Sequence, residues 1–225
     1  SQQNELNLVI AHQLPYDNAS YETLKALQEK HIPILYIIGK RTNFNLFNQL
    51  NNGLKITVYN KNTITPSLAR YNNNFSLFFL SEKTLEMFNN LPPLTTPLAR
   101  YDVSQGLQTL TYQTHNSLKT DYPLIAFNND ADNKSAIICG EDIWKWRLRN
   151  YLLNNTNNEI DELIQKTIQY LVSDKDKSTF KIKHENLYNQ THNIRLEAEL
   201  YNQAYQLVNT SEVKIMALDG NSIAF

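Results

Sequence analysis

Residues 135–153 read SAIICGEDIWKWRLRNYLL and contain the strand-to-helix change around which the rest of the chain is organised. The first five residues are small or apolar and predict a short buried strand, which Gly140 ends. The segment after this glycine predicts a helix that carries both tryptophans of the chain, Trp144 and Trp146. The single cysteine, Cys139, falls at the junction. We therefore expect the last strand of a domain here, followed by the helix that closes it.

The N-terminal part of the chain alternates between apolar strands and amphipathic helices. Residues 6–11 (LNLVIA) and 33–38 (PILYII) predict buried strands, with a helix over residues 19–30 between them. A helix over residues 43–50 and a strand over residues 54–58 continue the rhythm. Fully apolar strands that alternate with helices are typical of a parallel sheet covered on both faces.

The pattern changes toward residue 140. Residues 107–114 (LQTLTYQT) alternate apolar and polar side chains, as a half-exposed antiparallel strand does. Residues 123–127 and 134–139 flank a turn-rich segment and predict a hairpin. The sequence therefore predicts an α/β domain over residues 1–174, with a mostly parallel sheet and antiparallel strands at its edge.

A charged segment, SDKDKS at residues 173–178, marks the predicted domain boundary. Beyond it the hydrophobic period becomes two, which predicts antiparallel strands and the start of a β-sandwich over residues 178–225. These 48 residues are too few to close a stable sandwich. Three completions stay open: the strands lie on the α/β domain, further C-terminal sequence completes them, or a second copy of the chain does so in a dimer.

Length, composition and charge limit the classes of function. At 225 residues, with 41% hydrophobic and 19% charged residues, the chain has the values of a globular protein with a buried core. The net charge of -1 gives no electrostatic reason to expect nucleic acid or an anionic membrane as partner. No apolar run approaches the roughly 20 residues that cross a bilayer. Because the sequence starts at Ser1 and stops on the apolar Phe225, we expect a piece of a longer protein, with any membrane tether outside it.

The sequence contains none of the compact motifs that mark metal or nucleotide sites. H-x-x-x-H, C-x-x-C, G-x-G-x-x-G and G-x-x-x-x-G-K are all absent. The acidic turn at residues 128–133 (NNDADN) lacks the glutamate that closes a calcium loop. We therefore expect neither a metal nor a cofactor.

Cys139 is the candidate nucleophile. A cysteine between a strand and a helix resembles the position of the nucleophile in hydrolase elbows, where the helix N-terminus stabilises a thiolate. The acidic residues Glu141 and Asp142 oppose thiolate formation. A cysteine nucleophile also needs a histidine base, for which His12 and His115 are the candidates. A cysteine-dependent hydrolase or amidotransferase is therefore the alternative function, and a non-catalytic role is the main one.

Other residues are candidates for contacts with a ligand or a domain. Gln13, Gly39 and Gly140 follow predicted parallel strands, and open α/β sheets bind ligands outside the carboxyl ends of their strands. Trp144 and Trp146 lie about 200° apart on a helix, so they cannot both face the same core. One is expected in the core and the other at a domain contact or pocket rim, together with Arg147.

The stretch G-E-D-I-W-K-W-R from Gly140 to Arg147 resembles the G-[ED]-x-x-W-x-W-R segment of a class I glutamine-amidotransferase-like domain. That domain occurs in envelope membrane proteins of Bacteroidota. Residues 12–15 (HQLP), 33–39 (PILYIIG) and 120–127 (TDYPLIAF) are similar to the same group, in the same order. Residues 197–208 (EAELYNQAYQLV) resemble the immunoglobulin-like domain that follows there.

The resemblance implies a flavodoxin-like three-layer sandwich displayed on the periplasmic side of the inner membrane. The missing catalytic residues and the fused β-sandwich lead us to expect a domain that binds a protein or an envelope component. Catalytic members need a cysteine at an elbow and a downstream H-x-E pair. The chain has no cysteine near residues 79–81, and His184 is directly followed by Glu185. The expectation is a non-catalytic scaffold.

Overall fold

A computed structural model describes residues 6–60, 63–128, 130, 133–173, 180–183, 197–200 and 208. Its five helices are α1 (Asn18–Glu29), α2 (Phe44–Phe47), α3 (Glu82–Met87), α4 (Ile143–Asn154) and α5 (Asn158–Val172). The strands are β1 (Val9–His12), β2 (Ile34–Ile37), β3 (Leu54–Val58), β4 (Ile64–Tyr71), β5 (Leu94–Pro97), β6 (Ala99–Val103), β7 (Leu107–His115), β8 (Leu118–Asn128), β9 (Ser135–Ile138), β10 (Phe180–Lys183) and β11 (Glu197–Leu200).

The main sheet has seven strands in the order β1-β2-β9-β8-β7-β4-β5. Only the β1–β2 and β2–β9 pairs are parallel, and the other four pairs are antiparallel. The sheet curls, because Thr95 of β5 forms an isolated antiparallel bridge with Glu141, just after β9. The result is a curled, mixed half-barrel.

The predicted fold class is therefore wrong. A flavodoxin-like or glutamine-amidotransferase-like sandwich needs a mostly parallel sheet, and most pairs of this sheet are antiparallel. The strand expected to continue the parallel alternation, β3, pairs antiparallel with β6 in a separate two-stranded sheet. The helix expected before it over residues 43–50 is the four-residue helix α2.

Other local predictions are confirmed. β8 and β9 form the predicted hairpin, with Ile125 opposite Ile138. Helix α1 covers the predicted segment within one residue and begins at Asp17, whose side chain accepts a hydrogen bond from the Ser20 amide. This cap satisfies an amide that has no partner within the helix.

Both faces of the main sheet are covered. On one face α4 and α5 pack over a cluster that includes Phe127, Trp146 and Tyr170. On the other face α1, α2 and the β3–β6 pair cover a cluster that includes Tyr36 and Cys139.

Strand β5 crosses directly over Gly140. A Cβ atom at this position would lie 3.1 Å from the Leu94 Cβ, from the Thr95 carbonyl oxygen and from the Thr96 Cγ2. The Glu141 amide donates to the Thr95 carbonyl at 2.9 Å, and the Thr95 amide donates to the Glu141 carbonyl at 3.3 Å. Gly140 therefore permits the close approach that curls the sheet.

The substitution Gly140→Ala is expected to lower the free energy of unfolding by about 1–3 kcal/mol, because the added methyl group overpacks the crossing. Equilibrium unfolding in urea measures the change. Gly106→Ala is the matched control, since its added Cβ would meet only the Asn128 Oδ1, at an ordinary 3.6 Å. Equal losses in the two variants would contradict the packing role of Gly140.

Beyond α5, the described residues include one antiparallel pair, β10 with β11, in which Phe180 lies opposite Leu200. The rest of the predicted immunoglobulin-like segment lies outside the described residues. Within the described part of the chain, no helix is long and apolar enough to span a membrane.

Candidate functional site

The predicted ligand residues lie together at the carboxyl ends of three neighbouring parallel strands, β1, β2 and β9. These residues are His12, Gln13, Gly39, Cys139 and Gly140. The position of these residues at the strand ends thus follows from the sequence, although the predicted fold class is wrong.

The space beside the two glycines is occupied by the chain itself. The Glu141 side chain lies where a side chain at residue 39 would be, and its Oε1 accepts a hydrogen bond from the Lys40 amide at 2.5 Å. The Gln13 Oε1 accepts one from the Arg41 amide at 3.3 Å. Glu141 packs against Gly39 and β5 packs against Gly140, so both glycines have packing roles. A ligand role for Gln13, Gly39 and Gly140 stays a prediction.

Cys139 is completely buried, within the cluster beneath α1 and α2. Burial raises the pKa of its thiol far above the ordinary value, because the apolar surroundings disfavour the thiolate. His12 lies exposed on the edge strand β1, two strands away from β9. His115 directs its Nδ1 to the Ser67 Oγ at 3.0 Å. The arrangement favours a packing role for this cysteine over a nucleophilic one.

The Cys139 thiol is expected to be inert toward a disulfide reagent such as 5,5′-dithiobis(2-nitrobenzoate) at pH 8. Reaction requires local opening, so labelling of the native protein should be at least about 100-fold slower than labelling in denaturing urea. Gln105→Cys is the control, because residue 105 is exposed and its thiol should react at once. Rapid labelling of wild-type protein would point instead to a reactive, accessible cysteine.

A buried polar network that sequence reasoning missed lies next to the β5 crossing. Ser67 and Thr96 share a 2.6 Å hydrogen bond between their hydroxyl groups, and the Ser67 Oγ also lies 3.0 Å from the His115 Nδ1. The Gln113 side-chain amide donates to the Pro123 carbonyl at 2.8 Å. Since Ser67 is fully buried, its hydroxyl group joins β4, β5 and β7 and does not meet a substrate.

An open cleft with a volume of about 310 Å³ begins at Lys40, the residue after Gly39. Among the described residues, its polar side chains are one lysine, three asparagines and two threonines, with no carboxylate. Its lining residues are Lys40, Thr42, Asn43, Phe44, Asn45, Val58, Asn60, Thr63, Ile64 and Pro97. None of them was predicted as a site residue.

One tryptophan is buried and the other is exposed, as their spacing on the helix predicts. Trp146 is fully buried, donates from its indole Nε1 to the Pro92 carbonyl at 2.8 Å, and contacts Phe88 edge-on. Trp144 is 61% exposed. Its ring contacts the Lys145 ammonium, whose Nζ lies 5.6 Å from the ring centroid.

Trp144 belongs to a row of large apolar side chains that face away from the core. Leu148, Tyr151 and Leu152 are 52%, 51% and 67% exposed. Together with Trp144 they occupy helical positions i, i+4, i+7 and i+8, which span about 100° of the helix surface. We call these four residues the outer face of α4. Sequence reasoning singled out one of the four.

Basic side chains lie on both sides of the outer face. Arg147 forms an ion pair with Asp161 of α5. The Lys145 Nζ pairs with the Asp142 Oδ2 at 2.9 Å, and this contact, followed by a hydrogen bond from Thr95, lowers the pKa of the Asp142 carboxyl. The Arg149 Nε donates to the Asn90 carbonyl at 3.3 Å. Helix α4 itself contains no acidic residue.

Comparisons with known proteins do not assign a family. No protein-family model matches the sequence, and no curated protein matches it. Among the described residues, no group of three or more His, Cys, Asp or Glu side chains is placed to hold a metal ion.

Solved structures give only distant likenesses. The mmIFT52 N-terminal domain is 17% identical, with a TM-score of 0.39 and coverage of 72% of this chain and 76% of that one. Alpha-L-fucosidase isoenzyme 2 from Paenibacillus thiaminolyticus is 10% identical, with a TM-score of 0.43 and coverage of 78% and 26%. Beta-galactosidase from Bacillus circulans sp. alkalophilus is 10% identical, with a TM-score of 0.37 and coverage of 87% and 27%. The chain thus spans about a quarter of each glycosidase, and likenesses this distant carry no conclusion about activity.

Proposed function

We propose that this protein is a binding module of a larger, membrane-tethered envelope protein, located on the periplasmic side of the inner membrane. Its contact surface is the outer face of α4. The observation that carries the proposal is the exposure of Trp144, Leu148, Tyr151 and Leu152 in one row on a helix whose opposite side is already packed on the core.

The physical reason is that burying these apolar side chains in a contact would release free energy. Burying a large apolar side chain contributes about 1.5–3 kcal/mol relative to leaving it in water. Single exposed leucines are common on protein surfaces, but a contiguous apolar patch marks an interaction site. The buried state of Cys139 and the separate positions of His12 and His115 support a binding role over the cysteine-dependent alternative.

The double variant Leu148→Glu with Leu152→Glu is expected to lose at least about 10-fold of the affinity for an envelope fraction containing both lipid and protein, since two apolar contacts are replaced by charges. Quantitative co-sedimentation with the envelope of a Bacteroidota bacterium measures this loss. The control is Leu6→Glu with Leu118→Glu, which changes two equally exposed leucines elsewhere. Binding that persists undiminished in the α4 double variant would overturn the proposal.

A second candidate function is the binding of a small hydroxylated acid, and the open cleft favours it. Lys40 supplies a cation, Asn43 and Asn60 supply amides, and Phe44 supplies an apolar wall. Amide and hydroxyl groups around one cation are suited to a ligand with several hydroxyl groups and one carboxylate, such as a sugar acid.

This candidate is tested with glucuronate, and with glucose as the uncharged comparison. Glucuronate is expected to give ligand-observed NMR saturation transfer that Lys40→Gln abolishes and Lys55→Gln, on the exposed side of β3, leaves unchanged. Equal signals from glucose and glucuronate, or no effect of Lys40→Gln, would remove the candidate.

A further inference from the structure

We propose that the outer face of α4 docks on the surface of an anionic lipid bilayer. This inference rests on the proposed function and names the envelope component that the module binds. It is carried by the positions of the basic residues around the apolar row and by the two kinds of aromatic ring within that row.

The basic side chains line both edges of the apolar row. On the helix surface Lys145 lies about 20° beyond Leu152, and Arg147 lies about 40° beyond Tyr151 on the other edge. Arg149 lies about 40° further round from Lys145. A helix with this arrangement lies in the plane of a membrane interface, with its apolar residues between the lipid chains and its cations at the level of the phosphates.

The aromatic residues of the outer face suit the same depth. Trp144 is in the first turn of α4 and Tyr151 is in its last turns, so the rings are separated by about 10 Å along the helix. Tryptophan and tyrosine are enriched at membrane interfaces, because an apolar ring and a polar group meet the boundary together. The two leucines between and beside them supply the aliphatic part of the contact.

The ion pairs of these cations do not prevent contact with phosphate. Arg147 and its partner Asp161 are each about half exposed, and Lys145 is 41% exposed. Exposed ion pairs contribute only about 0–1 kcal/mol, so a phosphate can replace the carboxylate as the partner. Arg149 makes its hydrogen bond with a backbone carbonyl and keeps its full charge. Asp142 and Asp161 pair with two of the three cations, and among the described residues Arg149 forms no ion pair.

A second copy of the chain fits this surface less well. If two outer faces packed on each other, basic side chains of both copies would meet along the contact, because both edges of the outer face carry them. Like charges at a contact oppose association. The outer surface of a single helix is also convex, and a deformable lipid interface covers a convex ridge without needing a groove.

The experiment uses the full 225-residue chain and vesicles of phosphatidylcholine, with or without about 30% phosphatidylglycerol. Wild-type protein is expected to co-sediment with the anionic vesicles, and tryptophan emission is expected to shift to the blue. Trp144→Phe should still bind but lose the shift, because Trp146 is buried already. A blue shift that persists in Trp144→Phe would overturn the assignment to α4.

Two variants separate the apolar and the charged contributions. Leu148→Glu with Leu152→Glu should abolish vesicle binding. The triple variant Lys145→Gln, Arg147→Gln, Arg149→Gln should bind anionic vesicles about 100-fold more weakly, since each basic side chain near such a surface contributes about fivefold. The control triple variant Lys25→Gln, Lys55→Gln, Lys119→Gln removes three exposed lysines on other elements and should weaken binding much less.

The outcomes distinguish this inference from the proposed function. If vesicles of both compositions fail to bind while the envelope fraction still binds through the outer face, the partner is a protein and the lipid inference is overturned. If the two triple variants lose binding equally, the cations of α4 have no special role and the inference is again overturned. If the outer-face variants bind both vesicles and envelope fraction as wild type does, the proposed function falls with it.

Discussion

The crossing of β5 over Gly140 is the contact on which the rest of the structure depends. Reciprocal hydrogen bonds between the main chains of Thr95 and Glu141 join the far edge of the sheet to the end of β9. The contact favours a residue without a Cβ, because three atoms of β5 lie 3.1 Å from the place a Cβ would occupy, closer than an ordinary van der Waals contact. The bridge brings the end of the antiparallel part of the sheet back to the parallel strands.

The same crossing positions α4. The Thr95 hydroxyl donates to the Asp142 carboxylate at 2.7 Å, and Asp142 adopts a left-handed backbone conformation immediately before the helix begins. Further along, the Trp146 indole donates to the Pro92 carbonyl, two residues before β5. The β5 segment therefore holds both the start and the buried side of α4. The direction of its outer face follows from these contacts.

The sequence predicted local elements better than their pairing. Hydrophobic periodicity identifies α1, because this helix buries one face against its neighbours. The β8–β9 hairpin is identified by the turn-rich segment between two apolar runs. Hydrophobic periodicity assigned β3 to the parallel sheet, although Leu54 and Ile56 are buried and Lys55 and Thr57 are exposed. This alternation is the pattern of a half-covered antiparallel strand, and β3 has that role opposite β6. Which strands pair depends on long-range contacts such as Thr95 with Glu141, and no local pattern records them.

The candidate surface was harder to predict for a similar reason. The net charge of -1 gave no indication of a basic site, since the cations of α4 are balanced by acids elsewhere in the chain. Helix α4 also has apolar residues on all sides, so periodicity alone does not say which side is buried. The structure resolves this ambiguity through Trp146 and Asn150, the two buried residues of the helix.

The anchoring of α4 explains how its outer face can be exposed without loss of the helix. The Asn150 side-chain amide donates to the Thr156 carbonyl at 3.0 Å and to the Glu159 carboxylate at 2.9 Å. With Trp146 on the core, these contacts fix the inner side of the helix, and the ion pairs of Lys145 and Arg147 add contacts at its flanks. The four residues of the outer face are between 51% and 67% exposed, so about half or more of the surface of each one faces away from the domain. The contacts that hold α4 therefore leave a row of tryptophan, leucine and tyrosine exposed between basic residues, and the proposed function rests on this surface.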